Sequence, residues 1–427
     1  MFAILGMSMR GLKSGLGVVL AAAVLTACGG GEGSQTGQST PNTSSEAPPA
    51  TAQQPERTAF DPPKVFEKTS AKFPSQTFFH RDRKLATLHD GYIYSVKANE
   101  LNAFDGLTAR PLWSVPGQIS TGTEPLGKPP HVHQDKVYAA FSGSEPAKGT
   151  TPAHPKIEVV AVDVKSGEKD WSATIDIDLK GATSTMGGEV AVVGASDSSV
   201  VVTYFDDSTN VGLTYVIDRN THQVRWSKDQ FLAGEVDSGM VVGNGGKPFI
   251  GEPRTLTGLA ETDGAEKWST PLGGYGTTLM PISPKLVASN RKVYSSGDYQ
   301  FDILDVTTGK ALYSLATDVP SMLSYNVACF YDQVSIIVCD GNSERTFAFE
   351  ATNVGPNTLW EIKDGPDRVA PTITAAYHGL VYGKGANDPV ALDAKTGKDA
   401  PDAPGVSPDM VDKYLAVDKG ATYKPVK

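Results

Sequence analysis

The chain has 427 residues, a formal net charge of −10 at pH 7 and three cysteines. This acidic composition has no basic stripe, so it argues against nucleic acid and anionic lipid head groups as binding partners. The roughly 370 residues that follow the N-terminal region are too many for one sandwich-sized core, and no linker-like break divides them.

The N-terminal region carries the pattern of a secretory signal. Arg10 and Lys13 precede the apolar stretch GLGVVLAAAVLTA, which ends at LTAC, Leu25 to Cys28. Basic residues, a short apolar run and small residues before a cleavage site are typical of a signal peptide, and the run is too short to span a membrane. LTAC resembles the lipobox of bacterial lipoproteins, in which the Cys receives a diacylglycerol. We expect a lipoprotein signal peptide over 1–27 and lipidation of Cys28; the alternative is an ordinary signal peptide with an incidental Cys.

A polar segment follows the lipobox. From Gly29 to Thr58 there is no Val, Ile, Leu, Met, Phe, Tyr or Trp. Such a segment has nothing to bury and is predicted to be disordered, so residues 28–58 are interpreted as a lipidated Cys and a flexible tether that spans roughly 30 Å. The tether would hold a folded body, residues 59–427, at the extracytoplasmic face of a cell membrane.

The rest of the chain repeats one pattern: an apolar run, an Asp, a turn with Gly, three further residues and a Trp. The stretch AVDVKSGEKDW, Ala161 to Trp171, contains all of it. All five tryptophans of the chain occupy the last position. The aromatic residues at this position are Trp113, Trp171, Trp226, Trp268, Tyr313 and Trp360, and a truncated unit ends near Pro401. Their intervals of 58, 55, 42, 45 and 47 residues are typical of four-stranded propeller blades.

The segments between these positions favour strands and turns. Apolar and β-branched residues alternate between Gly, Asp and Asn clusters, and no segment keeps a helical apolar period over three turns. In each repeat we expect a positive φ at the Gly, turn amides bonded to the Asp, and a Trp packed between blades with its indole N–H on a backbone carbonyl. Ala109 and His222 occupy the Gly position in two units. The predicted structural docking residues are Asp105, Trp113, Asp163, Gly167, Trp171, Asp218, Trp226, Trp268, Asp305, Gly309, Tyr313, Trp360, Asp393 and Gly397.

This pattern resembles the docking motif of PQQ-like β-propeller repeats, A-x-D-x-x-T-G-x-x-x-W. The unit that ends at Trp171 matches the motif with Ser166 in place of Thr. The resemblance implies an all-β fold, a single β-propeller of four-stranded blades over residues 59–427. It says little about activity, because the repeats are structural.

Eight blades are preferred, and seven are the alternative. Phe66 lies 47 residues before Trp113, where a docking aromatic is expected, and the C-terminal stretch DMVDKYLAVDKGATYKPV has inner strands but no outer one. Together the two ends complete one blade, in which an N-terminal strand closes a sheet begun by the C-terminus.

Cys329 and Cys339 lie in NVACFYDQVSIIVCDG, which is predicted to form two strands around a short turn. An exported chain with two cysteines ten residues apart favours a cross-strand disulfide. The alternative is a pair of buried free thiols.

Other clusters give weaker signals. His131 and His133 face the same side of a strand and His154 follows, but no Cys or acidic partner shares a metal-ligand spacing, so we predict no metal site. FDDSTN, Phe205 to Asn210, lacks the spaced oxygen ligands of a calcium loop. GNGGKP, residues 243–248, does not continue as a phosphate loop.

The sequence favours a binding protein over an enzyme. Quinoprotein dehydrogenases of this fold hold the quinone between a Trp and a disulfide of adjacent cysteines, beside Ca²⁺, and this chain has no adjacent cysteines. We therefore expect no cofactor. We expect a monomeric, lipid-anchored scaffold that binds an envelope protein or a ligand, with the insertion from Ser142 to Ile157 as a candidate recognition loop. The alternatives are a PQQ-dependent dehydrogenase or another channel-centred enzyme, and the detached sensor half of an envelope signalling system.

Overall fold

The computed structural model describes residues 57–74, 77–80, 83–97, 99–119, 128–151, 154–178, 188–206, 209–246, 254–272, 274–293, 299–317, 327–341 and 344–427. These residues form strands, turns and loops without any helix, as the sequence predicts. Accordingly, the described part of the chain contains no helix that could cross a membrane.

The described strands form antiparallel sheets that follow one another along the chain as blades I to VIII. Before blade I come β1 (Phe66–Lys72) and a small hairpin of β2 (Phe79–His80) and β3 (Arg83–Lys84). Blade I contains β4 (Ala86–His89), β5 (Tyr92–Lys97), β6 (Glu100–Asp105) and β7 (Pro111–Pro116). Blade II contains β8 (His131–His133), β9 (Lys136–Glu145), β10 (His154–Asp163) and β11 (Lys169–Asp176). Blade III contains β12 (Glu189–Ala195), β13 (Ser199–Asp206), β14 (Val211–Asp218) and β15 (Val224–Asp229).

The second half of the ring repeats this arrangement. Blade IV contains β16 (Phe231–Asp237), β17 (Met240–Gly245), β18 (Thr255–Ala260) and β19 (Glu266–Pro271). Blade V contains β20 (Gly274–Ser283), β21 (Leu286–Val293), β22 (Tyr299–Asp305) and β23 (Ala311–Thr317). Blade VI contains β24 (Ala328–Tyr331), β25 (Ile336–Asp340), β26 (Arg345–Glu350) and β27 (Trp360–Lys363). Blade VII contains β28 (Thr372–Tyr377), β29 (Leu380–Lys384) and β30 (Pro389–Asp393), and blade VIII contains β31 (Met410–Val411), β32 (Ala416–Asp418), β33 (Ala421–Pro425) and β1.

The two ends of the described chain meet in blade VIII. β1 pairs antiparallel with β33, from Phe66 opposite Pro425 to Lys72 opposite Ala421. The N-terminal strand thus supplies the outer strand of a sheet whose other strands come from the C-terminus. The predicted eight blades and the predicted closure by both ends are confirmed, and closure of the ring removes the open sheet edges at its seam.

Blade VII departs from the four-stranded pattern. Beyond β30 only a single bridge, Leu392 to Asp399, marks the position of a fourth strand. Pro401 stands where other blades have their docking aromatic, and Pro404 follows. Because proline has no N–H to donate to a ladder, Pro401 and Pro404 disfavour a regular fourth strand in this segment.

The second and third strands of the blades form the core because both of their faces lie against neighbouring blades. In β13, Val200, Val201 and Val202 are all fully buried. A strand covered on both faces is a continuous apolar run rather than an alternating one. Burial of each such Val contributes about 2 kcal/mol by removing apolar surface from water.

The first strands of the blades surround the axis of the ring. From β4 round to β31, each first strand contacts the first strand of the next blade. Bulges interrupt their pairing, for example at Val193 in β12, Gly234 in β16 and Thr374 in β28. A bulge bends its strand and increases the local twist.

The segment before β1, residues 57–65, crosses three blades. The Arg57 guanidinium donates to Asp105 Oδ2 of blade I (2.8 Å) and lies 4.0 Å from the ring centroid of Tyr92. The Phe60 amide donates to the carbonyl of Lys413 in blade VIII (2.7 Å), and the Tyr382 hydroxyl of blade VII donates to the carbonyl of Pro63. Arg57 falls within the segment interpreted from sequence as tether, but here it belongs to the folded ring.

Candidate functional site

The docking Asp residues organise the turns that follow them. In blade II, Asp163 Oδ1 accepts the amide N–H groups of Lys165 (3.0 Å) and Ser166 (2.8 Å) and the Ser166 hydroxyl (3.0 Å). The hydrogen bond from the Ser166 amide is the largest cause that holds the pKa of Asp163 below its ordinary value. The corresponding Oδ1 atoms in blades I, III, V and VII, which accept in the same way, belong to Asp105, Asp218, Asp305 and Asp393.

The Trp of one blade packs on the docking turn of the next blade. At three junctions the indole N–H donates to the carbonyl of the residue after the docking position, at 2.8–2.9 Å: Trp226 to Glu261, Trp268 to Val306 and Trp360 to Ala394. The ring covers the turn glycine so closely that a Cβ built on Gly309 would lie 2.3 Å from Trp268. Gly309 also has a φ of 67°, which only glycine adopts freely. At these junctions the indole ring therefore packs directly on a turn whose glycine has no side chain.

The junction between blades I and II keeps the packing but lacks the indole hydrogen bond. A Cβ on Gly167 would lie 2.4 Å from Trp113, so the ring covers the turn as elsewhere. The carbonyl of Val164, which the pattern assigns to the indole, instead accepts the Tyr94 hydroxyl (3.0 Å). The buried Nε1 of Trp113 has no hydrogen-bond partner among the described residues. The expectation that every indole finds a carbonyl fails at this junction, where the Tyr94 hydroxyl occupies the carbonyl that the pattern assigns to Trp113.

Two docking turns replace the glycine but keep its backbone conformation. Ala109 in blade I and His222 in blade III have φ values of 58° and 59°. The left-handed conformation costs a non-glycine residue about 1 kcal/mol. In blade III the His222 imidazole compensates by stacking on Trp171, with ring centroids 4.9 Å apart and planes 17° apart.

At the junction between blades V and VI, both the docking tryptophan and the turn glycine are replaced by other residues. Tyr313 stands in the Trp position, and its ring meets Phe349 edge-on at a centroid distance of 4.8 Å. An edge-to-face aromatic pair contributes about 1 kcal/mol beyond its buried area. This junction is closed by aromatic side chains rather than by a bare glycine turn.

Blade IV has Ala260 at the docking position, and a neighbouring carboxylate takes over the link. Glu261 Oε1 accepts the hydroxyl groups of Ser196, Ser198 and Ser199, which belong to the first turn of blade III. Burial by itself would raise the pKa of Glu261, but these hydrogen bonds lower it below its ordinary value. Sequence reasoning missed this link because Glu261 lies one residue past the motif position and no spacing relates it to the serine turn.

A groove of about 430 Å³ lies on the perimeter of the ring between blades II and III. One wall is β11, the outermost strand of blade II, and the other is the docking turn of blade III with the start of β15. The residues that line it are Ser172, Ala173, Thr174, Ile175, Thr221, His222, Gln223 and Val224. It exposes mainly polar surface and the open edge of β11.

A second groove of the same construction, about 270 Å³, lies between blades VIII and I. The outermost strand β1 faces the docking turn of blade I at Leu107 and Thr108. Both grooves occur where the docking glycine is replaced, by Ala109 in one case and His222 in the other. Both grooves thus lie beside a docking turn that carries a side chain at the glycine position. The His in the Gly position was the one sequence signal that marked the larger groove.

The chain matches the model of a known protein family. A family model described as outer membrane protein assembly factor BamB matches residues 74–210 and 210–404, which is more than half of the chain. The chain belongs to this family of PQQ-like β-propellers. No curated protein sequence matches the chain significantly.

Solved structures similar to this BamB-type propeller include PQQ-type dehydrogenases. A quinohemoprotein alcohol dehydrogenase from Comamonas testosteroni is 14% identical with a TM-score of 0.43, and the match covers 86% of this chain and 75% of that one. A quinohemoprotein alcohol dehydrogenase from Pseudomonas putida HK5 is 12% identical with a TM-score of 0.43, covering 72% of this chain and 61% of that one. A europium-containing methanol dehydrogenase is 11% identical with a TM-score of 0.35, covering 72% of each chain. The chain thus matches less than two thirds of the Pseudomonas enzyme.

The residues of this BamB-type propeller do not fit a quinone pocket of the dehydrogenase kind. Such a pocket needs a Trp near the axis and a disulfide of adjacent cysteines. All five tryptophans of this chain lie on the fourth strands of blades I, II, III, IV and VI, in the docking junctions. Cys329 and Cys339 are ten residues apart on neighbouring strands.

The predicted disulfide between Cys329 and Cys339 is confirmed. The two residues lie directly opposite each other on β24 and β25, and their sulfur atoms are 2.04 Å apart. Cys339 is fully buried in the apolar cluster that contains Phe347 and Phe349. The bridge ties the first strand of blade VI to its second strand.

The histidines singled out from sequence lie in blade II and contact acids of the outer turns and strands. His133 Nε2 lies 3.2 Å from Asp197 Oδ1, and His154 Nε2 lies 3.1 Å from Asp176 Oδ1. Burial lowers the pKa of His131 to about 4, and the neighbouring His133 adds to the shift. Among the described residues, no three His, Cys, Asp or Glu side chains are grouped so as to hold a metal ion.

A titratable group near the axis was missed by sequence reasoning. Glu235 follows the bulge at Gly234 on the first strand of blade IV. Its Oε1 accepts the Val236 amide (3.0 Å), and its buried Oε2 has no hydrogen-bond partner in the described residues. Burial raises the pKa of Glu235 to about 8.

Several predictions concern residues outside those described. These are the signal peptide over 1–27, the lipidated Cys28 and the tether as far as residue 56; FDDSTN and GNGGKP are described only in part. The insertion from Ser142 to Ile157 is described except for residues 152 and 153. It extends the hairpin of β9 and β10, which pair as far out as Glu145 and His154.

Proposed function

We propose that the chain is an exported, lipid-anchored protein whose propeller acts as a binding scaffold for a partner in the cell envelope. The observation that carries this proposal is the pair of perimeter grooves with open strand edges. The docking residues are otherwise occupied in joining one blade to the next. The name of the matched family, an outer membrane protein assembly factor, supports an assembly role over a catalytic one.

The position of Arg57 supports a tethered arrangement. Arg57 is held beside the docking turn of blade I through Asp105, at the end of the ring that carries the turns between third and fourth strands. The LTAC sequence at residues 25–28 supports attachment of the preceding segment to a membrane through Cys28.

The lipid anchor can be tested directly. We expect metabolic labelling with palmitate to mark the protein and the Cys28→Ala variant to lose both the label and membrane attachment. Release of unlabelled wild-type protein into the soluble fraction would contradict the anchor.

The scaffold role is tested by photo-crosslinking in intact cells. A photoreactive residue at Val224, which is 41% exposed in the larger groove, should give a discrete protein adduct. The same residue at Val369, 51% exposed elsewhere on the ring, is the matched control. Adducts of equal yield at both positions, or none at Val224, would contradict a groove-based scaffold. Dye-linked alcohol oxidation after addition of PQQ and Ca²⁺ would support an enzyme instead.

A further inference from the structure

A pocket at the seam of the ring, where blade I meets blade VIII, holds the Arg57 side chain. The guanidinium donates to Asp105 Oδ2 (2.8 Å) and to the Asp90 carbonyl (2.9 Å). Its Cζ lies 4.0 Å from the ring centroid of Tyr92 and 5.9 Å from that of Tyr414. A planar guanidinium uses both features at once, because its N–H groups point to acceptors in its plane while its face stacks on an aromatic ring. The pocket therefore has the chemistry of an arginine site.

The shape and charge of the pocket fit this side chain. A Cβ built on Gly91, in the turn between β4 and β5, would lie 2.3 Å from Arg57 Nη1, so the turn has room for the guanidinium because Gly91 has no side chain. The Asp105 side chain is fully buried beside Arg57. The docking Asp163 and Asp218 side chains, by contrast, are 30% and 23% exposed. An empty pocket would leave a buried carboxylate without its cation, which is costly.

The strap, residues 57–65, is otherwise held mainly by polar contacts at the surface of the ring. Across these residues, which the structure describes throughout, Pro63 alone is buried. The Phe60 amide donates to a carbonyl of blade VIII, and Asp61 pairs with His378, whose side chain is 31% exposed. A segment that buries little apolar surface can open locally at a small cost in free energy.

β1, which follows the strap, is held far more firmly. Phe66 is 4% exposed, its ring centroid lies 6.1 Å from that of Tyr382, and β1 pairs with β33. The strap can therefore leave the ring while β1 stays in blade VIII. Arg57 lies at the end of the strap farthest from β1, where one side chain controls whether the strap stays closed.

We propose that Arg57 is a releasable latch in an arginine pocket at the seam of the ring. When Arg57 occupies the pocket, the strap is closed across blades VII, VIII and I. When Arg57 leaves, the strap opens and the pocket accepts the guanidinium of an arginine from a partner segment. Such a segment favours the open strap because it binds only that state. This inference goes beyond the scaffold proposal and does not rest on it.

The latch is tested by amide hydrogen exchange of the full chain, measured by mass spectrometry on a fragment that covers the strap. Asp105→Asn removes the charge that Arg57 meets and should speed exchange of the strap about tenfold, while β1 exchanges as in the wild type. Asp163→Asn is the matched control, because Asp163 organises the same kind of docking turn in blade II, which the strap does not cross. It should leave exchange of the strap unchanged.

Changes at Arg57 itself test the pocket without altering the ring. Arg57→Lys keeps the charge but lacks the planar fork, so exchange of the strap should rise several-fold. Arg57→Ala empties the pocket, and N-acetyl-arginine amide should then raise the midpoint of thermal unfolding more for this variant than for the wild type. N-acetyl-lysine amide at the same concentration should raise it less.

Three results would overturn the proposal. Exchange of the strap that neither Asp105→Asn nor Arg57→Lys changes would exclude a latch. An equal rise in exchange for Asp163→Asn would assign the effect to docking turns in general. Equal responses of Arg57→Ala to the two amides would exclude an arginine pocket.

Discussion

The junction between blades IV and V and the junction between blades II and III solve the same packing problem differently. In the first, the Trp268 ring covers Gly309 and donates to the Val306 carbonyl. In the second, the Trp171 ring stacks on His222, and a groove opens beside the outer strand. The comparison teaches that a side chain at the turn can accompany a groove at the perimeter while the strand order of both blades stays the same. A repeated ring architecture can thus carry a local surface feature without any change in strand order.

The closed junction is expected to tolerate no side chain at its glycine. Gly309→Ala adds a Cβ 2.3 Å from Trp268 at a positive φ and should lower the free energy of unfolding by about 3 kcal/mol. Gly239→Ala is the control, because Gly239 has the similar φ of 73° but nothing within 4 Å, and should cost about 1 kcal/mol. Urea unfolding measures both. Equal losses would mean that ring contact does not close the junction.

The link between blades III and IV should depend on the charge of Glu261. Glu261→Gln weakens three serine hydrogen bonds and should lower the free energy of unfolding by about 2 kcal/mol at pH 7. The folded pKa lies below the unfolded value of about 4.3. The contribution is therefore complete above the unfolded pKa and is lost as the pH falls through the folded pKa. Glu266→Gln, at an exposed position, is the control. A difference in free energy of unfolding between wild type and Glu261→Gln that does not change with pH would contradict this prediction.

The indole N–H should contribute more to the free energy of unfolding at the junction between blades IV and V than at the junction between blades I and II. Trp268→Phe breaks a hydrogen bond, whereas Trp113→Phe removes a buried donor that has no partner. We expect Trp268→Phe to cost about 1 kcal/mol more than Trp113→Phe in free energy of unfolding. Tyr94→Phe should reduce that difference, because it frees the Val164 carbonyl for Trp113. Equal costs for the two Trp variants would contradict the view that the Tyr94 hydroxyl displaces the Trp113 indole from the Val164 carbonyl.

Restoring glycine at the docking turn between blades II and III should change the free energy of unfolding less than the other substitutions. His222→Gly relieves the left-handed strain of a non-glycine residue but loses the stack on Trp171, so the net change should stay within about 1 kcal/mol. If the groove depends on the His side chain, the yield of the crosslinked adduct at Val224 should fall while the unfolding midpoint stays nearly constant. An unchanged adduct yield would show that the groove does not need His222.

The repeat spacing predicted more than the strand boundaries alone could. The tryptophan intervals, the positive-φ positions and the Phe66 offset predicted a ring of eight blades closed by both ends, because each of these features is local in sequence. Blade VII was less predictable in detail. Pro401 and Pro404 explain the missing fourth strand once its position is known, yet the repeat pattern by itself places an ordinary blade there.

The links between blades were the hardest to predict. Glu261 bonds to a serine turn more than sixty residues away, and Arg57 crosses to blade I from a segment with a tether-like composition. No fixed sequence spacing relates the two residues of either pair, because the distance between residues of different blades depends on how whole sheets pack.

The sequence by itself determined the fold class, the repeat and the similarity of the docking turns, and it favoured the pairing of Cys329 with Cys339 over two free thiols. Periodic patterns and tight turns are encoded within a few residues, so they can be recognised without coordinates. Only the tertiary structure decided which carbonyl each indole reaches, which junctions stay open and where the edge of β11 faces a groove. Those outcomes depend on contacts between residues far apart in the chain, where one competing donor or one added side chain changes the result.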